Sequence, residues 1–82
     1  MSSEAVILAR LRDVIARFFN NPALTLEPST TARDVRGWDS LTNVELMLEI
    51  EEAFGIRFRT GEVAGLKNVG ELVSVIARRT GA

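Results

Sequence analysis

The residues best placed to do chemistry are Asp39 and Ser40, which precede a strongly helical stretch. Gly37, just before them, allows a tight turn, so Asp39 and Ser40 stand where a helix begins. Serine and aspartate are favoured there because their oxygens accept hydrogen bonds from the unpaired amides of the first turn. The same amides, with the positive end of the helix dipole, attract phosphate. The stretch therefore predicts that the Ser40 hydroxyl lies beside an anion site, as a serine carrying a phosphodiester requires.

The residues that follow resemble those of the acyl carrier protein family. The resemblance rests on short motifs, namely Asp39-Ser40-Leu41, Val44-Glu45-Leu46 and Ile50-Glu51-Glu52-Ala53-Phe54-Gly55. In that family, the serine of the Asp-Ser-Leu motif bears 4'-phosphopantetheine, whose thiol holds acyl groups as thioesters. The resemblance implies that Ser40 is the attachment residue and that Asp39 favours docking of the phosphopantetheinyl transferase, which uses coenzyme A. It also implies a carrier that is not itself an enzyme.

Other chemistries fit the sequence less well. A nucleophilic serine needs a neighbouring base, but the chain has no histidine and nothing places its sole lysine, Lys67, beside Ser40. A metal site built from Asp39, Glu45 and Glu49 would occupy one side of one helix, without a histidine. The chain has no cysteine either, and its arginines are scattered rather than arranged in a basic stripe. These features argue against a hydrolase, a metal centre and nucleic-acid binding.

The second helix is predicted from Ser40 to Phe54, and it has two apolar stripes. One stripe comprises Leu46, Met47, Ile50 and Phe54, and the other comprises Leu41, Val44 and Leu48. A surface helix needs only one apolar stripe for its core, so a second stripe beside glutamates indicates a contact surface. The alternative is that a small bundle buries most of the helix circumference.

The distribution of charge also favours a contact surface on this helix. Between Asp39 and Glu52 the chain has five acids and no base, although its formal net charge is only −1. Such segregation bears on partners and association rates rather than on fold. The family resemblance implies that acyl-loading, condensing or acyl-transfer enzymes contact Leu41, Val44 and Leu48, while Glu45, Glu49 and Glu52 face basic patches on those enzymes.

The whole pattern predicts an all-α four-helix bundle with three main helices, one short third helix and a long first loop. The first helix is expected from Ser3 to about Phe19, and the loop from about Asn20 to Trp38. Trp38 could cover the core below the serine or flank the path of the prosthetic arm. Thr60 could cap a brief third helix across Gly61 to about Leu66, although a loose turn fits equally well. A last helix follows the capping box at residues 68–71 and ends near Arg79.

The 82 residues predict a single domain, 1–82, that is a monomer. No apolar run approaches the ~18 residues needed to span a membrane, and Met1-Ser2-Ser3-Glu4 lacks the basic start of a secretory signal. We therefore expect a soluble cytoplasmic protein that does not insert into membranes.

Departures from the family pattern bear on the pathway. Thr42 and Asn43 stand where an acid is common, and Arg57 and Arg59 are basic where acids are common. Fatty acid, polyketide and related specialised lipid biosynthesis all stay open, as does an aminoacyl (D-alanyl or peptidyl) carrier. A helical interaction module that is never modified is the alternative from another class, and the presence of both Asp39 and Ser40 disfavours it.

Overall fold

The computed structural model describes residues 3–59, 61–63 and 65–80, and these residues form helices and turns without a strand. Helix α1 spans Ser3–Phe18, α2 spans Ser40–Phe54 and α3 spans Val69–Thr80. A short 3-10 helix, Ala32–Asp34, interrupts the long connection between α1 and α2. The all-α class, the three main helices and the long first loop are thereby confirmed. No helix in this part of the chain is long and apolar enough to cross a membrane.

The expected short third helix is replaced by turns in the described residues of its segment. Gly61 and Glu62 form a turn, and Gly65 belongs to another, while the expected cap Thr60 and Ala64 lie outside the described residues. Gly61 and Gly65 have φ angles of 93° and 77°. These values belong to the left-handed region, which glycine adopts readily and a right-handed helix does not contain. The glycines therefore decide in favour of the loose turn.

The core lies where α1 packs against both α2 and α3. Its fully buried large side chains come from all three helices and are Leu11, Ile15, Leu46, Ile50, Val69, Leu72 and Ile76. Within each helix they recur three or four residues apart, as expected for one face of a helix. Leu24 and Val35 are also buried and anchor the long loop to this core.

Polar contacts hold the same loop in place. The backbone amides of Val69 and Gly70, at the start of α3, donate to the carbonyl oxygens of Thr30 and Pro28, each at 2.8 Å. Arg12 donates from Nε to the carbonyl oxygen of Leu24 at 2.8 Å. A loop of this length is uncommon in a small domain, and these bonds explain how this one is fixed.

The end of α2 is fixed by a glycine C-cap and by a contact with α1. Gly55 closes the helix with φ 66° and ψ 35°, which confirms the predicted glycine C-cap. Arg10 of α1 donates to the carbonyl oxygen of Ala53 at 2.9 Å, and its guanidinium lies 4.5 Å from the centre of the Phe54 ring. Arg10 therefore joins α1 to the negative end of α2.

Candidate functional site

Asp39 is the N-cap of α2 and fixes the turn in which Ser40 lies. Its backbone is extended, with φ −136° and ψ −172°, and its Oδ1 accepts hydrogen bonds from the amides of Leu41 and Thr42, both at 2.9 Å. The Thr42 hydroxyl completes the box, because it accepts from the Asp39 amide at 2.9 Å and donates to the Gly37 carbonyl oxygen at 2.7 Å. The sequence did not reveal this capping box, because the residue three positions after the N-cap is usually glutamate or glutamine, and here it is Thr42.

The hydrogen bonds to Asp39 also set its charge state. The amide of Thr42 is the largest cause of a lowered pKa for the Asp39 carboxyl. Partial desolvation opposes this lowering of the pKa, whereas the Leu41 amide and the Thr42 hydroxyl add to it. Asp39 is consequently a carboxylate at neutral pH and complements the positive end of α2.

The predicted anion site needs a correction. The amides of Leu41 and Thr42 were expected to attract phosphate, but they are bonded to the Asp39 carboxylate. Ser40 therefore lies beside a bound carboxylate rather than beside vacant amide groups. The Ser40 side chain is exposed and makes no hydrogen bond within the described part of the chain. Its hydroxyl is thus held on a rigid first turn and is accessible from outside.

The turn before α2 rests on the end of α1. Gly37 has a φ of 93°, and a Cβ placed there would lie 3.2 Å from Cδ1 of Phe19. The Trp38 ring lies 6.3 Å from the Phe19 ring, and its indole Nε1 donates to Oδ1 of Asn43 at 2.9 Å. Trp38 is half-buried against the core and also borders the cavity described next. Trp38 therefore covers part of the core, as one expectation had it, and its place along the path of the prosthetic arm stays a prediction.

A cavity of about 360 Å³ opens beside Ser40. It lies between the first turns of α2, the 3-10 helix and the segment that leads into α3. Its apolar lining is Ala32, Trp38, Met47, Val63, Leu66, Val69 and Leu72, and its polar lining is Thr30, Asp39, Ser40, Asn43, Lys67 and Asn68. An exposed hydroxyl at the mouth of a partly apolar cavity fits a covalently attached arm that carries acyl groups.

The two stripes of α2 have opposite environments. Leu46, Met47 and Ile50 are buried, whereas Leu41, Val44 and Leu48 are 80%, 63% and 58% exposed. The alternative in which the bundle buries most of the helix circumference is therefore wrong. Glu45, Glu49 and Glu52 are exposed on the same helix.

Glu51 differs from these acids because its carboxylate bonds to another segment of the protein. Its Oε2 accepts a hydrogen bond from the Phe58 amide at 2.7 Å. This bond ties the extended segment after α2 back to the helix, while Arg57 and Arg59 of that segment are exposed. Glu51 is thus engaged within the protein, in contrast to the glutamates of the exposed face.

Comparison with known proteins supports a carrier. Residues 9–76 match the family model described as "Phosphopantetheine attachment site". This match and the holo neighbour described next define the class as a carrier domain with covalently attached 4'-phosphopantetheine. An acyl carrier protein of Acidothermus cellulolyticus is 36% identical over 78 residues, covering 95% of this chain and 93% of that one. Acyl carrier protein 3 of Ralstonia nicotianae is 31% identical over 74 residues, covering 90% and 85% of the two chains.

A solved structure agrees with these relatives. The solution structure of holo acyl carrier protein from Geobacter metallireducens superimposes with a TM-score of 0.84 at 31% identity, covering 92% of this chain and 86% of that one. This chain therefore belongs to the acyl carrier protein family. Members of the family have no catalytic activity of their own, and they interact with a phosphopantetheinyl transferase and with acyl-handling enzymes.

Proposed function

We propose that Ser40 bears the 4'-phosphopantetheine of this carrier. The observation that carries the proposal is the exposed Ser40 hydroxyl, which the Asp39–Thr42 capping box holds beside the cavity. In the loading reaction, Ser40 Oγ forms a bond to phosphorus, the diphosphate of coenzyme A breaks, and its nucleotide half leaves. The hydroxyl proton passes to the transferase, because no base within the described residues contacts Ser40. The bound group supplies a thiol that holds acyl groups as thioesters.

Partner enzymes would bind the exposed face of α2. Leu41, Val44 and Leu48 offer apolar contacts, and Glu45, Glu49 and Glu52 surround them with negative charge. The negative charge of these glutamates would steer the encounter with a basic partner and raise the association rate. Asp39 lies at the Ser40 end of this face, where a transferase would approach. These exposures support the proposal that the six residues bind partner enzymes.

The proposed pathway is the biosynthesis of a fatty acid, a polyketide or a related specialised lipid. The modest net charge, together with the basic Arg57 and Arg59, favours a specialised member over a housekeeping one. An aminoacyl carrier is the alternative within the family. That residues 1–82 act as one monomeric domain, and that the protein is cytoplasmic, stay predictions from the sequence.

Intact mass before and after incubation with coenzyme A, magnesium and a broad-specificity transferase tests the attachment residue. We expect the protein to gain the mass of one phosphopantetheine and Ser40→Ala to gain none while it keeps its helical circular dichroism. Ser29→Ala is the matched control, because Ser29 is also exposed but lies in the long loop. Loading of Ser40→Ala would place the group elsewhere. Failure of the unchanged protein to load with several transferases would favour the unmodified interaction module.

A further inference from the structure

The C-terminal half of the exposed face of α2 shares two grooves with arginines of neighbouring elements. The helix itself has no base between Asp39 and Glu52, so positive charge beside the face must come from elsewhere in the fold. A groove of about 620 Å³ between α1 and α2 is lined by Val14, Arg17, Phe18, Glu49, Glu52 and Ala53. A second groove, of about 510 Å³, lies between α2 and the extended segment after it and is lined by Leu48, Glu51, Glu52, Gly55, Ile56 and Arg57. Glu52 thus lines two grooves, each of which also contains an arginine.

The opposite charges in these grooves do not pair with one another. Arg17 and Arg57 are exposed, as are Glu49 and Glu52, and none of the four forms an ion pair within the described part of the chain. Arg10 differs from the two free arginines, because it is already bonded to the end of α2. Exposed ion pairs contribute little in water, so the fold gives up little by leaving these charges apart. Both signs of charge are therefore available to a partner.

The second groove also offers an apolar contact. Leu48 is 58% exposed, and Ile56 beside it is half-buried. The Glu51 carboxylate of this groove is bonded to the Phe58 amide, which leaves Glu52 and Arg57 as its free charges. A small apolar centre with a charged rim is the arrangement found in protein–protein interfaces. Here the rim carries one charge of each sign.

We propose that this end of α2 docks partner enzymes that present a carboxylate to Arg57 beside a basic group that faces the glutamates. The inference rests on the proposed function of the exposed face and specifies the kind of partner that the face accepts. Glu45 and Glu52 lie two turns apart, which is about 10 Å along the helix, so the charge of the partner's surface must change sign over a similar distance. A wholly basic surface would meet the like charge of Arg57, and this repulsion disfavours such a partner.

Two helical peptides of one length, with the same apolar face, serve as probes of such a partner. Both have a lysine-rich polar face with two glutamates, which lie at one end in the first peptide and in the middle in the second. Because their composition and net charge are equal, the peptides differ only in where the acids lie. Their affinities for the apo protein are measured by NMR titration. An exposed charge pair is worth roughly two- to five-fold in affinity, and we expect the end-glutamate peptide to bind tighter by about that factor.

Three variants identify the charges involved. Arg57→Glu should reverse the preference, because it places an acid beside the terminal glutamates of the first peptide. Arg78→Glu is the matched control and should keep the preference, because Arg78 is also exposed but lines neither groove. Glu45→Lys should weaken the end-glutamate peptide, whose central lysines face this acid. That loss of affinity would show that the peptide lies on α2.

The outcomes separate this inference from the proposed function. If the chain gains no pantetheine arm, the attachment proposal fails, and the peptides still decide the role of Arg57 because they bind the apo protein. If Glu45→Lys leaves the affinity unchanged, the exposed face is not the docking surface, and both the proposed partner surface and this inference are wrong.

Other results would overturn the role of Arg57 alone. These are equal affinity for the two peptides, tighter binding of the peptide with central glutamates, or equal effects of Arg57→Glu and Arg78→Glu. NMR signals of Leu48 and Ile56 that shift with protein concentration in the absence of peptide would show that a second copy of the chain occupies the groove. That result would also overturn the inference.

Discussion

Helices α2 and α3 differ in how far their first turns depend on contacts with distant residues. At the start of α3, the amides of Val69 and Gly70 bond to loop carbonyl oxygens that are distant in sequence. At the start of α2, the first-turn amides bond to Asp39, the residue immediately before the helix. In both helices these first-turn amides are thus hydrogen-bonded. The start of α3 is covered by the loop, whereas Ser40 at the start of α2 is exposed.

The difference shows how a small domain can keep the Ser40 hydroxyl both fixed and accessible. Contacts between distant residues rigidify the α3 start by occupying its Val69 and Gly70 amides. The contacts that fix α2 lie almost entirely within residues 37–43, because Gly37, Asp39 and Thr42 bond to one another. Because the bonds that rigidify this turn lie within residues 37–43, the outer side of the turn stays exposed.

Gly37→Ala tests the α2 start and should have the largest effect on stability. Left-handed backbone costs a residue with a side chain about 1–3 kcal/mol, and the new Cβ would lie 3.2 Å from Phe19. We expect a loss of about 2–3 kcal/mol, toward the upper part of that range, in urea unfolding, together with slower loading of Ser40.

Gly61→Ala is the matched control for this substitution. Gly61 has the same φ of 93°, but a Cβ there would meet nothing within 4 Å. Gly61→Ala should have the backbone strain of a left-handed residue but no contact like that with Phe19. We therefore expect a smaller loss of stability than for Gly37→Ala, and normal loading of Ser40. Equal losses for the two variants would mean that the contact with Phe19 does not help to fix the Ser40 turn.

The same contrast explains what the sequence could predict. The apolar spacing of α1, the position of Asp39 and the C-cap Gly55 are local signals, and each predicts its structure correctly. The bonds from α3 to Pro28 and Thr30 join residues about forty apart, and no local pattern reveals them. The short helix over residues 61–66 was the harder case, because a possible cap at Thr60 favoured a helix whereas two glycines favoured a loose turn.

The site shows the same limit. Sequence reasoning correctly predicted that Ser40 begins α2 and that the outer stripe of α2 is exposed, because both depend on positions along one helix. It assigned the first-turn amides to an anion, although the N-cap preference of Asp39 was itself the signal that they would be occupied. The orientation of Asn43, which depends on Trp38 Nε1, required the folded arrangement.

Gly70→Ala tests the covered start of α3. Alanine is favoured over glycine in a helix by ~1 kcal/mol, but its Cβ would lie 3.1 Å from the Pro28 carbonyl oxygen, a backbone atom. We expect the two effects to cancel, so that stability changes little while hydrogen exchange at the Val69 and Gly70 amides becomes faster. A clear gain in stability with unchanged exchange would show that the loop adjusts freely and does not restrain α3.

Asp39→Asn has the smallest expected effect, and its pH dependence distinguishes the two helix starts. Because hydrogen bonds lower the pKa of folded Asp39 below its ordinary 3.8, the carboxylate adds stability that is present above about pH 4. That stability is lost as pH falls through the lowered pKa.

The Asp39→Asn variant should therefore be less stable than the unchanged protein at neutral pH, and this gap in stability should close in acid. Urea unfolding of both proteins from pH 7 to below pH 3 measures the gap. At the start of α3 the side-chain oxygen that bonds the Glu71 amide belongs to Asn68, which does not titrate. A gap that stays constant with pH would mean that the charge of Asp39 adds nothing to the cap beyond what an amide oxygen provides.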